Sequence, residues 1–232
     1  MKSKSFFKPG PDPYFPYLDE TIRYKFPEPH EWEGNIISVG GNLSPGMLLS
    51  AYEQGIFPWY GPDDPIIWQS PDPRCVIFPD SLHVSSSMQK ILNNKTFTIT
   101  YDKDFDGVIR GCAEIFRPNQ GGTWITKDII EAYTALHRLG WVHSAEAWQD
   151  GELAGGCYGL LLGKVFCGES MFAKKSNASK AAFLSLAEAL FKNNVAFIDC
   201  QVPNPHLMSL GGEEMARNDF LELLRLYKVF RH

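Results

Sequence analysis

Residues 142–172 read VHSAEAWQDGELAGGCYGLLLGKVFCGESMF, and this stretch decides the fold. Two β-rich runs, 142–149 and 152–162, are joined by Asp150-Gly151, a dipeptide that accepts the positive φ angles of a two-residue hairpin turn. The reading is therefore strand–turn–strand. Lys164 to Gly168 reads as a further strand, running into a loop that carries Glu169 between Gly168 and Ser170. Downstream, Asn177 is placed to cap a helix reaching about Lys192, and VAFIDCQ (195–201) is a buried strand. Upstream, TFTITY (96–101) alternates as a strand and DFDGVIRGCAEI (104–115) reads as a helix. Thr126 to Leu139 sets Ile129, Ile130, Tyr133 and Leu136 at helical spacing, with Gly140 as its stop. A last helix is expected over 218–228.

The first 80 residues hold most of the sixteen prolines, and residues 1–30 show no periodicity. A helix is expected across 45–54, with Ser44 as N-cap, Pro45 at the first helical position and Gly55 beyond the end. FPWYGPDDPIIWQSPDPR (57–74) is too broken by proline for a long element. Helix pair, hairpin, strand, helix and strand in this order predict a mixed α/β (α+β) chain. The expected division is a small N-terminal domain over 1–72 and an acetyltransferase-like, GNAT-type domain over 73–232.

Composition bounds the function. Apolar residues are 44% and charged residues 21% of 232, as in ordinary globular chains. No apolar run approaches the roughly 20 residues of a membrane helix. The N-terminal MKSKSFFKPGPDPYFPY lacks the apolar core of a signal peptide. The five cysteines form no CxxC pair and the six histidines are scattered, so neither a disulfide framework nor a metal site is expected. A cytoplasmic, reducing setting follows as the expectation. A formal charge of −5 argues against whole-surface binding of nucleic acid, so any RNA must meet a local basic patch.

Two segments concentrate chemistry-bearing residues. FCGESMF (166–172) holds Glu169. IDCQVPNPHLMSLGG (198–212) sets Asp199 and Gln201 two apart, hence on one strand face. An acid inside an apolar strand is costly to bury without a partner; the plainer alternative is that Asp199 caps a loop and Glu169 faces solvent. Cys167 or Cys200 with His206 is a second, weaker candidate as a thiol–imidazole pair. No phosphate-binding glycine loop is present. Trp59 and Trp124 fall in loop-like sequence, where tryptophan either plugs a core or stacks on an unpaired base.

In order along the chain, GGNLSPGMLLSAYEQGIFPWY, SPDPR, GGTWIT, GGCYG, FCGESMFAKKSNASK and IDCQVPNPHLMSLGGEEMAR resemble the leucyl/phenylalanyl-tRNA–protein transferases, over most of residues 39–217. The resemblance implies an enzyme without cofactor or metal, a monomer. It would move Leu or Phe (Met less well) from aminoacyl-tRNA to proteins beginning with Arg or Lys, marking them for degradation. It further implies that Trp59 and Trp124 flank the terminal adenosine and that Cys157, Met171, Leu186 and Ile198 line the amino-acid pocket. Glu169, Asp199 and Gln201 match the catalytic positions. In this expectation Gln201 accepts a hydrogen bond from the attacking amine, Asp199 orients Gln201, and either acid favours the cationic Arg or Lys. The chain departs from the family pattern at Gln69, at Glu214 to Arg217, and in the smaller side chains of Cys157 and Leu186. It also departs in 85–95, where only Lys90 and Lys95 remain of a basic patch; Lys174, Lys175 and Lys180 are the candidates to compensate. Two rivals are a related transferase building cell-wall peptide bridges, disfavoured by the chain's length, and a charged-tRNA binding module without chemistry.

Overall fold

The computed structural model describes residues 8–115 and 124–228. A 3-10 turn at Pro29–Glu31 leads into β1 (Ile36–Val39), α1 (Pro45–Glu53), β2 (Phe57–Pro58) and β3 (Ile67–Gln69). There follow β4 (Arg74–Ile77), α2 (Ser86–Asn93), β5 (Thr98–Tyr101), α3 (Phe105–Glu114), α4 (Lys127–Arg138), β6 (Val142–Gln149), β7 (Glu152–Leu162) and β8 (Val165–Ala173). The described chain ends with α5 (Ala178–Lys192), β9 (Phe197–Gln201), α6 (Pro205–Ser209), β10 (Glu213–Met215) and α7 (Arg217–Tyr227). The expected mixed α/β class is what the chain adopts. Gly121 to Thr123 of GGTWIT lie outside the described residues, as do residues 1–7 of the proline-rich start.

The hairpin forms as read: Asp150 and Gly151 have φ of 55° and 81°, and β6 pairs antiparallel with β7. Around it a seven-stranded sheet runs β10-β4-β9-β8-β7-β6-β5. All its pairs are antiparallel except β8 with β9, which are joined by the crossover helix α5. Gly155 lets that helix sit close, because a Cβ there would lie 2.7 Å from the Ala178 Cβ. β1, β3 and β2 make a separate small sheet. One apolar cluster spans both sheets, holding Trp68 from the small sheet with Phe197 and Phe220. Arg217 adds polar ties, donating to the carbonyls of Gly34 (2.8 Å) and Ser70 (2.9 Å).

Two local readings need correction. β8 does not stop at Gly168; it continues to Ala173, and Glu169 sits within it rather than in a loop. Pairing of Tyr158 with Ser170 and of Gly159 with Gly168 leaves Glu169 as the extra residue of a bulge. Ser44 and Asn177 precede α1 and α5 but make no side-chain cap. Ser44 instead accepts from the Leu18 N–H (3.1 Å), and Asn177 takes a left-handed φ of 67° to turn the chain. Within 85–95, Ser86–Asn93 forms α2, capped by Ser85 at the Met88 N–H.

Candidate active site

A cavity of about 430 Å³ opens where the small sheet meets the face of β7, β8 and β9. Its lining includes Trp59 just after β2, Trp124 just before α4, and Cys157 and Met171, which are register partners across β7 and β8. Glu169 and Gln201 lie on the same wall. Trp59 is 38% exposed, and its backbone is pinned on both sides: its N–H donates to the Ile67 carbonyl (2.9 Å) and its carbonyl accepts from the Gln69 amide (2.8 Å). An indole held by its main chain with its ring at a cavity mouth is free to stack on a flat ligand.

The polar groups converge on Glu169. Its Oε1 accepts from Gln201 Nε2 (2.8 Å) and its Oε2 from the Tyr133 hydroxyl (3.2 Å). The Tyr133 hydroxyl in turn meets that of Tyr52. Tyr133 comes from α4 and Tyr52 from α1, both with at most 2% of their surface exposed. Burial lifts the Glu169 carboxyl to about 7, partly offset by the donated hydrogen bonds of Tyr52 and Tyr133 and reinforced by Asp199. That places its titration where an acid–base group is useful. Both phenols are pushed well above their ordinary range, first by burial and then by the Glu169 charge.

Asp199 stands behind this wall, not on it. It is 1% exposed and clamped by Arg74, Nε to Oδ1 at 2.8 Å and Nη2 to Oδ2 at 2.7 Å. Arg74 also donates to the Gly55 carbonyl (3.1 Å) and lies over the rings of Phe220 and Phe57. Burial works against the guanidinium charge, and Asp199 more than restores it, leaving its pKa above the ordinary value. Asp199 reaches Gln201 through the backbone: its Oδ1 accepts the Gln201 N–H at 3.0 Å. β4 pairs Val76 with Asp199 but Cys75 with Gln201, so Cys200 bulges out and Gln201 ends β9 at φ 63°. A left-handed non-glycine residue at a strand end is strained, and here the Asp199 acceptor holds it. The charge expected to favour a cationic substrate is, at Asp199, already matched by Arg74.

The other expected residues divide. Leu186 (5% exposed) and Ile198 (0%) are buried in the apolar layer behind the cavity wall rather than among its lining residues, where Phe183 and Phe166 stand instead. Lys90, Lys95 and Lys174 are exposed, and Lys175 meets Asp150 at 3.4 Å. Lys180 lies close enough to His206 on the cavity wall to lower its pKa, after burial as the larger cause. The thiol–imidazole idea finds no pair. His206 Nε2 meets the Met171 sulfur (3.3 Å), burial drives the Cys167 thiol well above its usual range, and the contact with Cys75 does so for Cys200.

Sequence reasoning missed Arg74, Tyr52 and Tyr133. Arg74 stood in the SPDPR string without a role, and Tyr133 looked like one more core residue of a helix. The signal available was an arginine inside an otherwise apolar strand, RCVI, which needs a buried anion opposite.

Two family descriptions match in succession: "Leucyl/phenylalanyl-tRNA protein transferase N-terminal domain" over residues 41–72 and "Leucyl/phenylalanyl-tRNA protein transferase" over 76–225. The leucyl/phenylalanyl-tRNA–protein transferase of Hahella chejuensis is 47% identical over 92% of this chain and 92% of its own length. Those of Desulfatibacillum aliphaticivorans (51%, covering 89% of this chain and 88% of that protein) and Flavobacterium johnsoniae (52%, covering 83% and 91%) are equally similar. Such identity over nearly the whole length leaves one assignment: the chain belongs to the leucyl/phenylalanyl-tRNA–protein transferase family.

Proposed function

We propose that this chain transfers leucine or phenylalanine, and methionine less well, from aminoacyl-tRNA to the N-terminal Arg or Lys of proteins, marking them for degradation. The observation that carries the reading is the convergence of two indoles, an apolar recess and the Glu169–Gln201 pair on one cavity. Trp59 and Trp124 take the terminal adenosine between them, while Cys157 and Met171, with Phe183, receive the Leu or Phe side chain. Leu186 and Ile198 shape that recess from behind. Lys90, Lys95, Lys174, Lys175 and Lys180 supply the contacts to the tRNA backbone. The reading includes two domains, 1–72 and an acetyltransferase-like 73–232, acting as a cytoplasmic monomer.

The chemistry requires positioning more than force. An aminoacyl ester is already activated, so its aminolysis needs no ATP and no cofactor. The α-amino nitrogen attacks the ester carbonyl, a C–N bond forms, the C–O bond to the ribose breaks, and one proton passes from nitrogen to the departing oxygen. An α-amino group with pKa of 7.7–8.0 is roughly a tenth neutral at pH 7, and orientation alone can contribute about 7–11 kcal/mol. Gln201 donates its Nε2 hydrogen to Glu169, which turns its Oε1 outward as the acceptor for the amine. Glu169, titrating near 7 and bonded to Gln201, is placed to take the proton and return it. Asp199 acts at one remove, fixing the backbone of Gln201. Incubation with labelled Phe-tRNA and an Arg-initiated peptide tests the reading: labelled peptide is expected, and tRNA binding without transfer rejects it.

A further inference from the structure

We propose that Tyr52 and Tyr133 are positioning residues whose paired hydroxyls hold Glu169 as the proton acceptor of the transfer reaction, with Tyr52 acting from outside the cavity. The inference rests on the role given to Glu169 above and adds the groups that make that role workable.

Neither tyrosine is among the residues lining the cavity, and both are enclosed in the apolar core. Two phenylalanines would fill the same space without bringing hydroxyls out of water, so each hydroxyl needs a partner to offset its burial. The partners form a directional chain. A phenol has one proton to give. Tyr133 donates its proton to Glu169 Oε2, which leaves the Tyr133 oxygen to accept from Tyr52, and the Tyr52 hydroxyl also acts on the Glu169 carboxylate directly. With the Gln201 amide on Oε1, three donors in series and in parallel point at one carboxylate. The arrangement suits an ionised Glu169 waiting for a proton.

It also suits the carboxylic acid that results. A proton arriving on Oε2 turns that oxygen into a donor toward Tyr133, whose own hydrogen turns to the Tyr52 oxygen while the Tyr52 hydrogen turns to the Glu169 carboxyl. No heavy atom moves, and Oε1 keeps the Gln201 amide. The Gln201 carbonyl therefore stays aimed at the substrate while Glu169 changes charge, and reversal of the same hydrogens returns the proton to the leaving ribose oxygen. The hydroxyls come from α1 and α4, on opposite sides of the proline-rich segment 57–74, so assembly of the acceptor depends on the N-terminal helix being docked.

The test combines a titration with a rate profile. The Glu169 carboxyl is followed by 13C NMR in glutamate-labelled protein, assigned with Glu169→Gln. Single-turnover transfer from Phe-tRNA to an Arg-initiated peptide is measured from pH 5.5 to 9.5. In Tyr52→Phe and Tyr133→Phe, loss of a donor to the charged form is expected to move the Glu169 titration upward by about one pH unit. Transfer at pH 7 falls about fivefold, recovers at alkaline pH, and leaves Phe-tRNA affinity unchanged. The attacking amine titrates identically in every variant, so only a Glu169-linked limb moves. An unmoved titration in either folded variant, or a rate lowered equally at all pH values, overturns the proposal; if one variant does not fold, the other decides. Wild-type transfer by Glu169→Gln rejects the acceptor role itself, independently of the tyrosines.

Discussion

Arg74 and Asp199 face each other across neighbouring strands as a two-point ion pair with 1% of either side chain exposed. The pair stands directly behind Gln201, whose backbone N–H shares the same carboxylate. Removing one member of such a pair leaves a buried, uncompensated charge, at a cost of about 3–5 kcal/mol. Asp199→Asn is expected to cut transfer sharply while tRNA binding persists, and Arg74→Met to do the same. Urea unfolding should show both variants destabilised, and the double variant Arg74→Met/Asp199→Asn should lose less than the sum. Near-normal turnover in Asp199→Asn, or strict additivity, would reject the arrangement.

Glu169 gives stability and activity opposite demands. Its folded-state pKa stands near 7 against 4.5 for an ordinary glutamate. A group raised on folding contributes stability that is fully present below the unfolded value and is lost as pH rises through the folded one. The ionised form needed for catalysis is therefore the destabilising form. Glu169→Gln should melt higher than wild type at pH 8, by an amount on the order of 1–3 kcal/mol, with the advantage shrinking toward pH 5. Calorimetry at the two pH values checks it. Equal differences at both would show that Glu169 carries no raised pKa.

Much of this was legible before any coordinates. The Asp150-Gly151 turn, the helical spacing around Tyr133 and the crossover from Asn177 to Lys192 are local signals, and local signals survive folding. The bulges were not legible. Glu169 and Cys200 become extra residues only because β7 and β4 pair beside them in a shifted register, and register depends on partners distant in sequence. The same holds for Arg74, which is 125 residues from Asp199. Leu186 and Ile198 illustrate the converse: their apolar character placed them near the pocket but could not say which layer they occupy.

The indoles make a prediction about binding rather than rate. Stacking is worth about 1–3 kcal/mol per base, so Trp59→Ala and Trp124→Ala should each raise the KM for Phe-tRNA roughly 10- to 100-fold. Phenylalanine at either position keeps a flat ring and should recover part of the loss. Gel-shift titration alongside kinetics checks this; a kcat loss without weaker binding would make the tryptophans core plugs.

Recess size sets the choice between leucine and phenylalanine. Cys157 faces Met171 across the β7–β8 pair, so a longer side chain at 157 projects into the cavity. A methylene in an apolar pocket distinguishes by about 1–3 kcal/mol. Cys157→Met should lower kcat/KM for Phe-tRNA relative to Leu-tRNA about tenfold. Competition between the two charged tRNAs in one tube reads the ratio directly, and an unchanged ratio would move the recess elsewhere.

The last prediction concerns salt. With a formal charge of −5, the protein has no general attraction for RNA, and the five candidate lysines are unequal. Lys175 is already shared with Asp150, whereas Lys90, Lys95 and Lys174 project freely into solvent. Lys180 is the one whose charge acts on His206 of the cavity wall. Each phosphate contact contributes about −0.7 to −0.9 to the slope of log affinity against log salt, so even all five give a slope shallower than about −5. Replacing Lys180 by Gln should flatten that slope by about 1, whereas Lys175→Gln should change it least. Affinity for Phe-tRNA measured between 50 and 300 mM salt decides: a slope steeper than about −5 requires further cations, and one unaffected by Lys180→Gln removes that residue from the path of the acceptor stem.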